Sequence, residues 1–150
     1  MKWIFLTVCL ALVACTSDET KLENQAKDEA TKMFQAELKE ELSKAVTGKD
    51  KMRFTALDII TKKTDFEIEK KNITESSAEF EVQANTLPAK VRSSLIEIMA
   101  RLEASKEVRF NVSDAIMLTT KNLGLGADER LPIKYKVNFK REGSSWRKVD

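Results

Sequence analysis

Few side chains in this 150-residue chain can do covalent or acid–base chemistry. There are two thiols, Cys9 and Cys15, and no histidine anywhere. Without imidazole the chain lacks the commonest general base near neutral pH and the commonest neutral metal ligand. Hydrolase triads built on histidine are excluded, as are zinc sites made of imidazole or several thiolates. Oxygen-ligand sites for calcium or magnesium stay open in principle, but no stretch alternates acids in the Asp-x-Asp-x-Asp-Gly manner of a calcium loop. No cofactor or metal is therefore expected. What remains is carboxylate chemistry, for example a glycan-cleaving pair about 5–10 Å apart, which would draw on Asp58, Asp65, Glu67 or Asp114. Asp58, between Leu57 and Ile59, is the acid that burial would most affect, and desolvation would raise its pKa. An exposed place on a helix or strand edge is its commoner fate.

The position of Cys15 is more informative than its thiol. One positive charge, Lys2, precedes an apolar run from Trp3 to Val13 broken only by Thr7, and a small residue, Ala14, stands just before the cysteine. This is the layout of a secretory signal peptide, and the apolar run falls short of the roughly 20 residues needed to span a bilayer. The four residues Leu12-Val13-Ala14-Cys15 resemble the lipobox of bacterial lipoproteins. That resemblance implies alkylation of the Cys15 sulfur with diacylglycerol, cleavage between Ala14 and Cys15, and acylation of the new amino terminus by a fatty acid such as palmitate. Thr16 and Ser17 follow the cysteine in place of the aspartate that commonly retains such proteins in the inner membrane. The resemblance thus implies outer-membrane sorting, facing the periplasm, in a host with two membranes. Residues 1–14 are then the signal, 15–24 a polar lipidated tether whose only aliphatic side chain is Leu22, and 25–150 one folded domain.

Cleavage leaves 136 residues with 25 basic and 24 acidic side chains, interleaved as on a solvated surface. Nothing in that balance suggests nucleic acid. With Cys9 removed, no disulfide can form within the mature chain. From Gln25 to Val46 the apolar residues Ala26, Ala30, Met33, Phe34, Leu38, Leu42, Ala45 and Val46 recur at three- and four-residue steps, which predicts an amphipathic helix stopped near Gly48. Residues 53–60 fit a strand and a short helix equally, because Leu57, Ile59 and Ile60 suit both periods. Phe66 and Ile68, then Ala78, Phe80, Val82 and Ala84, alternate with polar residues across a turn at Lys71-Asn72, which predicts an antiparallel hairpin with one wet face.

Pro88 opens a second helix with Val91, Leu95, Ile98, Met99 and Leu102 as its apolar stripe and Asn85 or Thr86 as its cap. Alternation at Val108, Phe110 and Val112, continuing to Thr120, predicts a further strand, with Ala115-Ile116-Met117-Leu118 as an inner one by default. A partner-binding strand is the sharper alternative. Gly124-Leu125-Gly126 lacks the third glycine of a dinucleotide loop and the Gly-Lys-Ser/Thr of a phosphate loop, so it reads as a connection. Asn72-Ile73-Thr74 and Asn111-Val112-Ser113 match the glycan acceptor pattern by chance in a bacterial chain. Two last strands carry Ile133, Tyr135, Val137 and Phe139, then Trp146 to Val149, joined by Glu142-Gly143-Ser144.

Segregated helices with an antiparallel sheet make an α+β domain. The element order and the ending, a lysine-rich strand, a glycine turn and a tryptophan strand, resemble the nuclear-transport-factor-like and cystatin-like superfamily. That resemblance implies a curved sheet wrapped around helices to leave a cone, open for a ligand or filled by side chains. Its catalytic Asp–His pair cannot be carried over without histidine. Phe66, Phe80, Phe110, Tyr135 and Trp146 are the candidates to line a pocket, although aromatic residues alternating along half-buried strands are more often core. The expected function is a membrane-anchored lipoprotein of the cell envelope, held by lipid on Cys15, whose non-catalytic domain binds an envelope protein, polymer or small ligand. The alternative is a histidine-free carboxylate hydrolase acting on envelope glycans.

Overall fold

The computed structural model describes residues 4–45, 50–105, 112–126 and 128–150, with side chains over 18–44, 54–98, 116–126 and 128–150. The chain is α+β. In order come α1 (Ile4–Ala45), α2 (Asp50–Lys62), β1 (Asp65–Ile73), β2 (Ser77–Thr86), α3 (Ala89–Ser105), α4 (Val112–Asn122), β3 (Leu131–Glu142) and β4 (Ser145–Val149). The four strands form one open sheet in the order β1-β2-β3-β4, each pair antiparallel.

Helix α1 organises the core. Leu22, Ala26, Ala30, Phe34, Leu38 and Leu42 follow one another at steps of four, and each is at most 2% exposed. Four residues exceed one helical turn by about 40°, so this buried row winds around the helix as it advances. A twisted sheet, whose own strands rotate from neighbour to neighbour, can follow such a row. Ion pairs and hydrogen bonds mark its course: Glu19 and Glu23 meet Lys71 of β1, Glu29 meets Lys148 of β4, Glu37 meets Tyr135 of β3, and Glu41 meets Arg92 of α3.

Residues 16–24 are therefore no flexible tether. They continue α1, and Leu22 is a core residue, because burying it and pairing Glu19 and Glu23 with Lys71 offset the entropy of ordering that turn. The segment at 53–60 is helical, inside α2. The first hairpin turns at residues 74–76, where the Thr74 N–H donates to the Ser77 carbonyl, so Lys71 and Asn72 belong to β1 and do not form the expected turn.

A bulge between Ile68 and Lys70 explains the longer strand. It shifts side-chain parity. Phe66 and Ile68 point to the helices before it, and Lys71, opposite Phe80, does so after it.

Pro88 stands just before α3 and accepts at its carbonyl from the N–H groups of Val91 and Arg92. Neither expected cap serves. Thr86 lies in β2 and its hydroxyl accepts from Thr64, while the Asn85 side chain accepts from Gln83.

The strand expected to run to Thr120 is helix α4 from Val112 onward. Val108 and Phe110 lie outside the described residues. Its C-terminus is closed by Gly124 at φ 68°, with the Leu125 N–H donating to the Thr120 carbonyl and the Gly124 N–H to that of Lys121. This is the paired bond set of a helix stopped by a left-handed residue. Isoleucine, threonine and valine satisfied a period of two, and the helix wins because its C-terminal end is capped and Ile116, Thr119 and Thr120 turn to one side. Met117 and Leu118 are left 60% and 54% exposed, not inside the sheet.

Candidate functional site

Four of the five aromatic candidates sit on the helix-facing side of the sheet, one on each strand. Phe80, in the middle of β2, has no exposed surface and meets Phe139 edge to face with centroids 6.0 Å apart. Phe66 of β1 packs edge to face on Phe34 of α1 at 5.8 Å. Tyr135 of β3 is buried, and Trp146 of β4 is half-buried against the core with the Arg141 guanidinium 5.8 Å from its ring centre. Phe110 lies outside the described residues. Between these rings stand Val82, Ala84 and Val137, all at most 1% exposed, and the α1 row covers them. Over the described residues these aromatic side chains are thus part of the core or packed against it.

Tyr135 carries a polar group in this row that is tied to α1. Its hydroxyl donates to Glu37 Oε2 at 2.8 Å, and burial first, with the bonded Glu37 carboxylate second, pushes its pKa above that of free tyrosine. Nearby, buried Arg92 donates to both Glu41 oxygens, at 3.3 and 2.8 Å, and to the Leu87 carbonyl at 2.7 Å. A surface groove of about 520 Å³ between α1 and α3 is lined by Glu37, Glu41, Lys44 and Ser93 among others. These groups satisfy one another and clamp α3 and β3 to α1.

The other side of the sheet faces water and is charged. Lys134 of β3 reaches across β2, with Nζ 2.5 Å from Glu69 and 3.1 Å from Glu81, and Lys70 lies 3.7 Å from Glu81. Lys134 holds the Glu81 carboxyl below the usual carboxylate range, and the two acids raise the Lys134 ammonium in return. Glu79, Glu81, Lys70 and Lys136 contribute to a shallow groove of about 580 Å³ on this face. The charges are sorted by strand. On this face Asp65, Glu67, Glu69, Glu79 and Glu81 of β1 and β2 outnumber Lys70, whereas β3 and β4 carry Lys134, Lys136, Lys140 and Arg147 against Glu142 alone.

The carboxylate candidates are dispersed. Asp58 on α2 is exposed and takes a 2.7 Å bond from Lys62, one helical turn on. Asp65 and Glu67 are exposed on β1, and Asp114 falls in α4 where only the backbone is described. Cys15 likewise lies in α1 with its side chain outside the described residues.

Sequence reasoning missed the clamp of Glu37, Glu41, Arg92 and Tyr135. Its only sequence signal was two acids four apart on the polar flank of the first helix. Compared with protein-family models, with characterised proteins and with solved structures, the chain matches nothing.

Proposed function

We propose that this chain is a bacterial envelope lipoprotein, anchored by lipid on Cys15, whose folded part is a non-catalytic binding module. The reading rests on the charged start, the short apolar run and Leu12-Val13-Ala14-Cys15. No helix among the described residues is long and apolar enough to cross a membrane.

The helical state of residues 16–24 refines the reading. Leu22 lies seven residues beyond Cys15, about 10 Å along a helix, so the anchor holds the domain close to the bilayer surface. With Thr16 and Ser17 after the cysteine, that surface is the periplasmic side of the outer membrane in a host with two membranes. The missing histidine, the packed aromatic row and the charged outer face favour binding through the surface.

Metabolic labelling with radioactive palmitate and glycerol tests the anchor. The full chain takes up both labels and sediments with membranes. Cys15→Ser abolishes both labels and leaves the precursor uncut. Label retained by Cys15→Ser, or none in the unaltered chain, refutes the proposal.

A further inference from the structure

The outer edge of β3 is only partly covered. β4 pairs with Asn138 to Glu142 and ends at Val149 opposite Asn138, while β3 itself begins at Leu131. Residues 131–137 therefore have β2 on one side and, among the described residues, no strand on the other. Seven residues at about 3.3 Å each make a notch about 23 Å long.

The main-chain groups that face this notch follow from the ladder. Glu142 and Ser145 flank the two-residue turn at 143–144 and are paired, so Glu142 directs its N–H and C=O toward β4. Alternation then sends the groups of Lys140, Asn138, Lys136, Lys134 and residue 132 the same way. The Arg141 N–H, which donates to Ser76 at 2.9 Å on the opposite side, agrees with that phase. The notch thus presents the N–H groups of Lys134 and Lys136 and the carbonyls of 132, 134 and 136. Residue 132 is a proline and offers no N–H, which closes one end. Val149 closes the other.

We propose that this notch accepts an extended acidic segment of another protein as an added strand. Main-chain pairing would supply the affinity and side chains the choice of partner. The water-facing side of the notch carries Lys134 and Lys136, on a face where β3 and β4 hold four basic groups against one acid. Lys134 is engaged with Glu69 and Glu81, but Lys136 has no ion pair among the described residues, so it is the cation left for an incoming acid. On the inner side, Tyr135 and Val137 are already covered, and half-buried Ile133 with exposed Leu131 offers apolar contact. The fitting segment alternates acidic residues outward with small apolar residues inward. Lysines and a proline on an edge also deter indiscriminate strand pairing, and here they restrict the edge to acidic partners.

This proposal rests on the reading of the domain as a binding module and not on the lipid anchor, so labelling at Cys15 and occupancy of the notch can fail separately. The test is amide hydrogen exchange on the full chain in mild detergent, with an eight-residue peptide alternating glutamate and valine and a control alternating lysine and valine. In the free chain the Lys134 and Lys136 amides exchange about tenfold or more faster than those of Tyr135 and Val137. The glutamate peptide removes that difference, and the lysine peptide does not. Lys136→Glu abolishes the response by charge. Lys136→Pro abolishes it by removing a notch-facing N–H while sparing the bonds to β2. Slow exchange of Lys134 and Lys136 in the free chain, with a monomer mass by light scattering, would show the chain covering its own edge and overturn the proposal. Equal responses to the two peptides, or slow exchange with a doubled mass, overturn it as well.

Discussion

Among the described side chains Leu22 is the first of the buried row on α1, and truncating it leaves a cavity in the core. Leu22→Ala is expected to cost about 2–5 kcal/mol, measured as a lower urea midpoint with an unchanged slope. A flexible tether would show no change. The residue was legible, since it stands four before Ala26 in the series 26, 30, 34, 38, 42, but its polar neighbours masked it.

Tyr135 makes a second prediction at this scale. Its folded-state pKa lies above the free value of about 10, so the folded chain holds the proton more tightly. That stability is complete below about pH 10 and is lost as pH rises from there toward the folded pKa. Urea midpoints should fall above pH 10, and Tyr135→Phe should flatten that decline while costing about 0.5–1.5 kcal/mol at neutral pH through the lost bond to Glu37. A decline equally steep in the variant would assign it to other groups.

Elements whose period and ends agree were readable, and those with only one of the two were not. β3 and β4 have both, alternation and a glycine turn, with Gly143 at φ 64°. The first hairpin had the alternation, but the bulge after Ile68 cannot be seen in composition, and it moved the turn from 71–72 to 74–76. Helix α4 had its stop at Gly124, with Lys121 in the last turn, yet its β-branched residues satisfied the strand period too.

Met117 and Leu118 separate the two readings of that segment. On an exposed helix face, Met117→Lys with Leu118→Lys shifts stability by no more than about 0.5 kcal/mol. In an inner strand the pair would cost several times that. Equilibrium urea unfolding distinguishes the outcomes, and a large loss would mean that this face of α4 is covered in solution.

At the scale of the whole molecule, local pattern and long-range packing carry different information. Composition excluded histidine chemistry outright, and the proposed export signal rests on the order of charge, apolar run and small residue before Cys15. Apolar spacing placed the sheet's inner side chains and the class, α+β, because each period reports the backbone that carries it. Tertiary structure alone decided that the aromatic row is packed beneath α1, that residues 16–24 join the core, and that acids and lysines sort to opposite strands. It also decided that β4 stops short and leaves part of β3 open. These depend on how far one element extends along another and on a parity shift at a single bulge, neither of which is written into the pattern of any one segment.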